Sequence, residues 1–89
     1  MIVYNVLFKG VEIKPTPFCK VFNNIEDAYS FCLASAKKQE LKIMSTSGFI
    51  SGDEDTVGSC TDYRCEDKDG NTYYYVIYVQ QLENTYWLV

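Results

Sequence analysis

Four cysteines, a run of carboxylates and a strand of tyrosines are the side chains of this 89-residue chain whose types and spacing could do chemistry. Histidine is absent, which removes His-based triads, the commonest general base and every His-containing metal site. No GxGxxG, Walker or G-x-S-x-G pattern occurs. Cys19, Cys32, Cys60 and Cys65 could in principle form an all-thiolate zinc site. Such sites are usually built from two C-x2-4-C knuckles, whereas here one C-x4-C accompanies two isolated cysteines, so the spacing favours free thiols over zinc or disulfides. Cys60 and Cys65 have opposite parity and would face opposite sides of a regular strand. A nucleophilic cysteine needs an activating base, and the sequence arranges none beside it. No catalytic residue, metal ligand or cofactor is assigned, and the chain is read as non-enzymatic.

The carboxylates are concentrated. Residues 1–52 carry a net charge of +2, residues 53–69 carry −5 and residues 70–89 carry −1, for a total of −4. Asp53, Glu54, Asp55, Asp62, Glu66, Asp67 and Asp69 make up the acidic segment, interrupted by Arg64 and Lys68. A nucleic-acid binder needs a basic stripe that neutralises phosphates, so direct binding of DNA or RNA is not expected, and an anionic membrane surface would repel the segment too. Asp67-Lys68-Asp69-Gly70-Asn71 has oxygen ligands at alternate positions like the start of a calcium loop. Its glycine stands fourth rather than sixth, and Tyr78 occupies the twelfth place, so a hairpin turn is the better reading. As a binding feature the acids would meet a protein with a basic surface; as a bland one they are a solvated face.

The elements that must position these groups follow from periodicity. Residues 2–9 alternate as an opening strand, and Pro15 and Pro17 read as a stiff connection. Asn23 followed by Glu26 has capping-box spacing, with Phe22 as a hydrophobic staple. Ile25, Ala28, Tyr29, Cys32, Ala36 and Gln39 recur at helical spacing, which predicts one helix over about 24–40. Leu41 and Ile43, with Phe49 and Ile50, suggest a second strand. Residues 56–66 and 72–80 flank the Asp69-Gly70 turn as a hairpin, and 86–89 read as a closing strand. The expectation is a single α+β domain over 1–89, one helix packed on a four- to five-stranded antiparallel sheet in the order β-α-β-β-β-β.

The 72–80 strand is rich on both sides. Tyr73, Tyr75, Ile77 and Val79 share one face and are assigned to the core; Tyr74, Val76 and Tyr78 share the other and are expected to be exposed, extended by Tyr63, Tyr86 or Trp87. Tyr and Trp are typical anchors of protein interfaces, so Tyr74, Tyr78 and Trp87 join the acids as candidate partner-binding residues. Mutual cross-strand support is the structural alternative.

The build, an opening strand, then Val21-Phe22-Asn23-Asn24-Ile25-Glu26-Asp27-Ala28 into one helix, then an acidic, Tyr-rich meander, resembles small phage-encoded inhibitors of bacterial defence, anti-CRISPR proteins among them. The resemblance is one of architecture over most of the chain, so no family residue is carried over. It implies a non-catalytic inhibitor without cofactors, acting in the host cytoplasm on a nucleic-acid-handling protein, with residues 53–69 as the nucleic-acid mimic. The element order also looks like a cystatin, although Thr56-Val57-Gly58 departs from the Q-x-V-x-G loop. No secretory signal opens the sequence and no apolar run approaches the ~20 residues of a membrane span, so a cytoplasmic location is expected. The competing readings are a homodimer or larger homo-oligomer joined through exposed sheet faces or edges and, with less support, a cysteine-based metal or redox module.

Overall fold

The computed structural model describes residues 2–10, 19–49 and 52–81. Strands β1 (Ile2–Gly10), β2 (Cys19–Phe22), β3 (Lys42–Thr46), β4 (Cys60–Glu66) and β5 (Thr72–Gln81) form one antiparallel sheet, and helix α1 (Ile25–Lys38) lies between β2 and β3 in the chain. The strands run β2-β1-β5-β4-β3 across the sheet. The expected α+β architecture, one helix on an antiparallel sheet, is what the chain adopts. Its β2 was read in the sequence as part of a connection, and the expected closing strand at 86–89 lies outside the described residues.

β5 occupies the centre because its β-branched and aromatic content makes it the strongest strand former, and it pairs along its length with β1 on one side and β4 on the other. Tyr4, Val6 and Phe8 of β1, Tyr75, Ile77 and Val79 of β5, and Cys65 of β4 then share one face. The helix lays Ile25, Ala28, Cys32 and Ala36 on that face, the i, i+3, i+7, i+11 stripe read from the sequence. Small residues at Ala28, Cys32 and Ala36, all at most 1% exposed, let the helix approach closely. Tyr75 is fully buried, yet its hydroxyl reaches the far side of the core, bonding Ser35 Oγ at 2.7 Å and accepting from Gln39 Nε2 at 2.7 Å. A register slip of one residue would exchange this set for Tyr74, Val76 and Tyr78. With about 1.5–3 kcal/mol for each large side chain buried, the pairing is strongly specified.

Both ends of α1 differ in detail from expectation. Asn24, not Asn23, is the N-cap: in extended backbone, its Oδ1 accepts from the amides of Glu26 at 2.8 Å and Asp27 at 3.3 Å. Phe22 remains in β2 and packs on Phe31, with ring centroids 5.4 Å apart, rather than stapling the first turn. The C-terminus closes without glycine. Glu40 takes the left-handed conformation, φ 59°, while its amide donates to Lys37 O and that of Leu41 to Ala36 O. This Schellman pattern ordinarily uses glycine, which left it hidden in the sequence. β4 begins at Cys60 rather than Thr56, because residues 53–59 are spent on turns, and β3 stops at Thr46, before Phe49.

The cap assignment is testable by chemical denaturation. Asn24→Ala should cost about 1 kcal/mol of stability, the loss expected for an N-cap, with little effect from Asn23→Ala. The reverse ranking would return the cap to Asn23.

Candidate interaction surface

Register places the candidate residues. On the sheet face away from the helix, Tyr74 stands between Lys9 of β1 and Arg64 of β4, Val76 between Leu7 and Asp62, and Tyr78 between Asn5 and Cys60. Tyr78 is 39% exposed and Tyr74 half-buried, as their assignment to the outer face requires. Val76 was expected to be exposed and is only 6% so. It lies mid-strand at the sheet's centre, between the taller Tyr74 and Tyr78 along β5 and Leu7 and Asp62 across it. Tyr63 does not extend this face: it points to the helix side, edge-on to Tyr29 with centroids 6.2 Å apart. Tyr86 and Trp87 lie outside the described residues.

The acids do not gather into one patch. Asp62 and Glu66 lie on the outer face of β4, with Arg64 between them; its Nη2 meets Glu66 Oε2 at 3.0 Å, so part of the strand's charge is cancelled. Asp67 and Asp69 sit in the β4–β5 turn, whereas Asp53, Glu54 and Asp55 precede β4 at its other end, about 20 Å away for a seven-residue strand.

Each end has its own local architecture. In the hairpin, the amide of Gly70 donates to Asp67 O, and Gly70 takes φ 86°, which the turn requires and glycine adopts without strain. The Asp67 carboxylate organises the loop: it accepts from the amides of Asp69 and Asn71, both 2.9 Å, from Asn71 Nδ2 at 3.0 Å and from the Tyr73 hydroxyl at 3.2 Å. These bonds, the Asn71 side chain first, hold its pKa below the ordinary aspartate value. At the other end Asp53 accepts from the Asp55 amide and the Thr56 hydroxyl, which lowers its pKa. A Cβ at Gly52 would meet the Thr56 side chain at 2.6 Å, so this tight turn excludes larger residues.

The 52–59 loop is moored to the β4-side edge of β5 at Val79. Gly58 donates to Val79 O at 2.8 Å, the Val79 amide donates to Ser59 O at 3.0 Å, and the Ser59 hydroxyl donates to Asp53 O at 2.8 Å. Val79 pairs with Tyr4, which pairs with Phe22, two residues before the Asn24 cap. Tyr4's pKa is raised by burial first and then by the charges of Asp55, Glu54 and Glu26. Burial and the charges of Glu54 and Glu26 also raise that of Tyr29. Tyr4 reads in the sequence as a strand residue and Glu26 as part of a capping box, so neither is singled out there for binding.

The thiols offer no comparable chemistry. Cys32 and Cys65 are buried and unbridged in the core, and burial pushes the Cys32 thiol up to about 12 and raises that of Cys65. Cys60 is a free thiol on the opposite face, as its parity required; Cys19 begins β2. Among the described residues no group of Cys, Asp and Glu is placed to hold a metal ion, and no helix is long and apolar enough to cross a membrane. Comparison with protein-family models, curated proteins and solved structures yields no match.

The Asp67 network makes stability depend on pH in a defined direction. A carboxyl whose pKa is lowered by folding contributes fully above its unfolded value, and the contribution fades as pH falls through the folded one. Asp67→Asn should therefore be less stable than the parent at neutral pH, with the gap narrowing as pH drops below the ordinary 3.8. Denaturation of both proteins across pH 2–7 tests this, and a gap independent of pH would contradict it.

Proposed function

We propose that this chain is a non-catalytic binding protein that occupies a basic surface of a partner protein, as an inhibitor or sequestering agent. The observation that supports it best is the strip formed by Tyr74, Val76 and Tyr78 with Leu7, on the sheet face that the helix does not cover, with Asp62 beside it on β4. Tyrosines supply contact area at low entropic cost, which suits them as anchors, and separated acidic ends give a field that steers a basic partner over a wide approach. The raised thiols of buried Cys32 and Cys65 and the lack of histidine give little support to an alternative built on catalysis. The architectural resemblance extends the proposal to a target that handles nucleic acid, with the acidic segment taking the place of phosphates. Arg64, in the middle of β4, makes that mimicry discontinuous, and binding by this route concentrates at the two ends of the strand.

A second copy of the chain is the competing occupant of the same open face, and sedimentation equilibrium separates the two readings. For the first, a tagged protein is used to capture partners from bacterial lysate at low and moderate salt. A captured basic protein should bind at least tenfold more weakly to Tyr74→Ala/Tyr78→Ala, about the loss for removing an interface anchor. Asp53→Lys/Glu54→Lys should weaken it more at low salt than at high salt. Capture indifferent to both variants would overturn the proposal, as would self-association through Tyr74 and Tyr78 as the sole interaction.

A further inference from the structure

The β4–β5 turn carries a chemical feature that the binding reading does not use. Asp69-Gly70 is the one Asp-Gly pair in the chain, and no Asn-Gly pair occurs. An aspartate followed by glycine is prone to attack by its own backbone, because glycine has no Cβ to keep its amide nitrogen away from the preceding carboxyl. Asp69 and Gly70 are both exposed, and a Cβ placed on Gly70 would meet nothing within 4 Å. No other part of the described chain crowds the turn or shuts out the water that the reaction needs.

The restraint comes from Asp67. Three consecutive amides are committed to this one residue: that of Asp69 to its Oδ1 at 2.9 Å, that of Gly70 to its carbonyl oxygen at 3.1 Å, and that of Asn71 to Oδ1 again at 2.9 Å. Asn71 Nδ2 and the Tyr73 hydroxyl hold the other carboxylate oxygen at 3.0 and 3.2 Å, which fixes the carboxylate from the strand side. Attack needs the Gly70 nitrogen released from the Asp67 carbonyl and swung onto the Asp69 carboxyl carbon, while the bonds at Asp69 and Asn71 keep the main chain on either side in the turn. The reaction is therefore confined to moments when the turn opens locally.

We propose that Asp69-Gly70 is a site of spontaneous isoaspartate formation and that the Asp67 carboxylate is the group that holds the reaction in check. The Gly70 nitrogen bonds to the carbon of the protonated Asp69 carboxyl, and its proton leaves with the carboxyl hydroxyl as water, which closes a succinimide ring. Water then adds to one of the two ring carbonyls. Opening at the side-chain carbonyl restores aspartate; opening at the main-chain carbonyl leaves the chain running through the side chain, with the carboxylate on Cα. One water leaves and one returns, with no change of oxidation state and no co-reactant. The product puts one more carbon into the main chain of the turn between the paired strands β4 and β5 and shifts a carboxylate of the acidic segment.

The test ages the full chain at neutral pH and maps its peptides over time. An Asp69 peptide of unchanged mass and shifted retention, with fragments that identify isoaspartate, should accumulate slowly in the folded protein and faster in the same chain unfolded in guanidinium chloride. Asp67→Ala should raise the folded rate roughly fivefold, the ease of opening gained when about one net hydrogen bond is lost. Circular dichroism establishes that the variant is folded. If it is not, Asn71→Ala, which spares the Asp67 carboxylate and the main-chain bonds, replaces it, with a smaller rise expected. Absence of isoaspartate at Asp69 in the unfolded chain would overturn the site. Equal rates in the folded and unfolded protein, or an unchanged rate in the folded variant, would overturn the restraint by Asp67.

Discussion

A strand apolar on both sides, placed at the centre of a sheet with a single helix among the described residues, sets the terms for the rest of the structure. β5 presents Tyr75, Ile77 and Val79 to one side and Tyr74, Val76 and Tyr78 to the other. One 14-residue helix covers only the first set. The choice between sides is made by shape as much as by hydrophobicity. Ala28, Cys32 and Ala36 bring the helix backbone close to the sheet, and Tyr75 crosses the gap to Ser35 and Gln39, which satisfies its hydroxyl and ties the helix's last turns to the central strand. The tyrosines on the other side keep their hydroxyl ends towards solvent.

The same topology distributes the charge. β4 lies beside β5 and takes its acids with it, so a segment compact in sequence is stretched along a strand, with one group in the hairpin and another in the 52–59 loop. Arg64 subdivides it further by pairing with Glu66. In exchange, strand register brings together groups that are distant in the chain. Phe22, Tyr4 and Val79 stand side by side across three strands although they lie far apart in the chain.

This explains what could be read in advance. Alternation located β1 and β5, a helical stripe located α1, and β4 was read as the run leading into the Asp69-Gly70 turn, though from Thr56 rather than Cys60; the buried face of β5 followed from its aliphatics. The hairpin was legible because Asp69-Gly70 offers the positive φ that the turn needs. β2 was hidden because four residues after two prolines carry too short a pattern, and the helix end was hidden because Glu40 takes a conformation usually left to glycine. The burial of Val76 depends on the height of its neighbours, which is not a property of a local window.

The proposed binding surface requires the outer face of β5 to be open while the helix closes the inner one. The direct measurement is NMR relaxation in the presence of a soluble, uncharged paramagnetic agent, read at the aromatic protons. Tyr78 and Tyr74 should be strongly broadened while Tyr75 and Phe8 are spared. Protection of Tyr74 and Tyr78 equal to that of Tyr75 would mean that the outer face is already closed and would contradict the proposed binding surface.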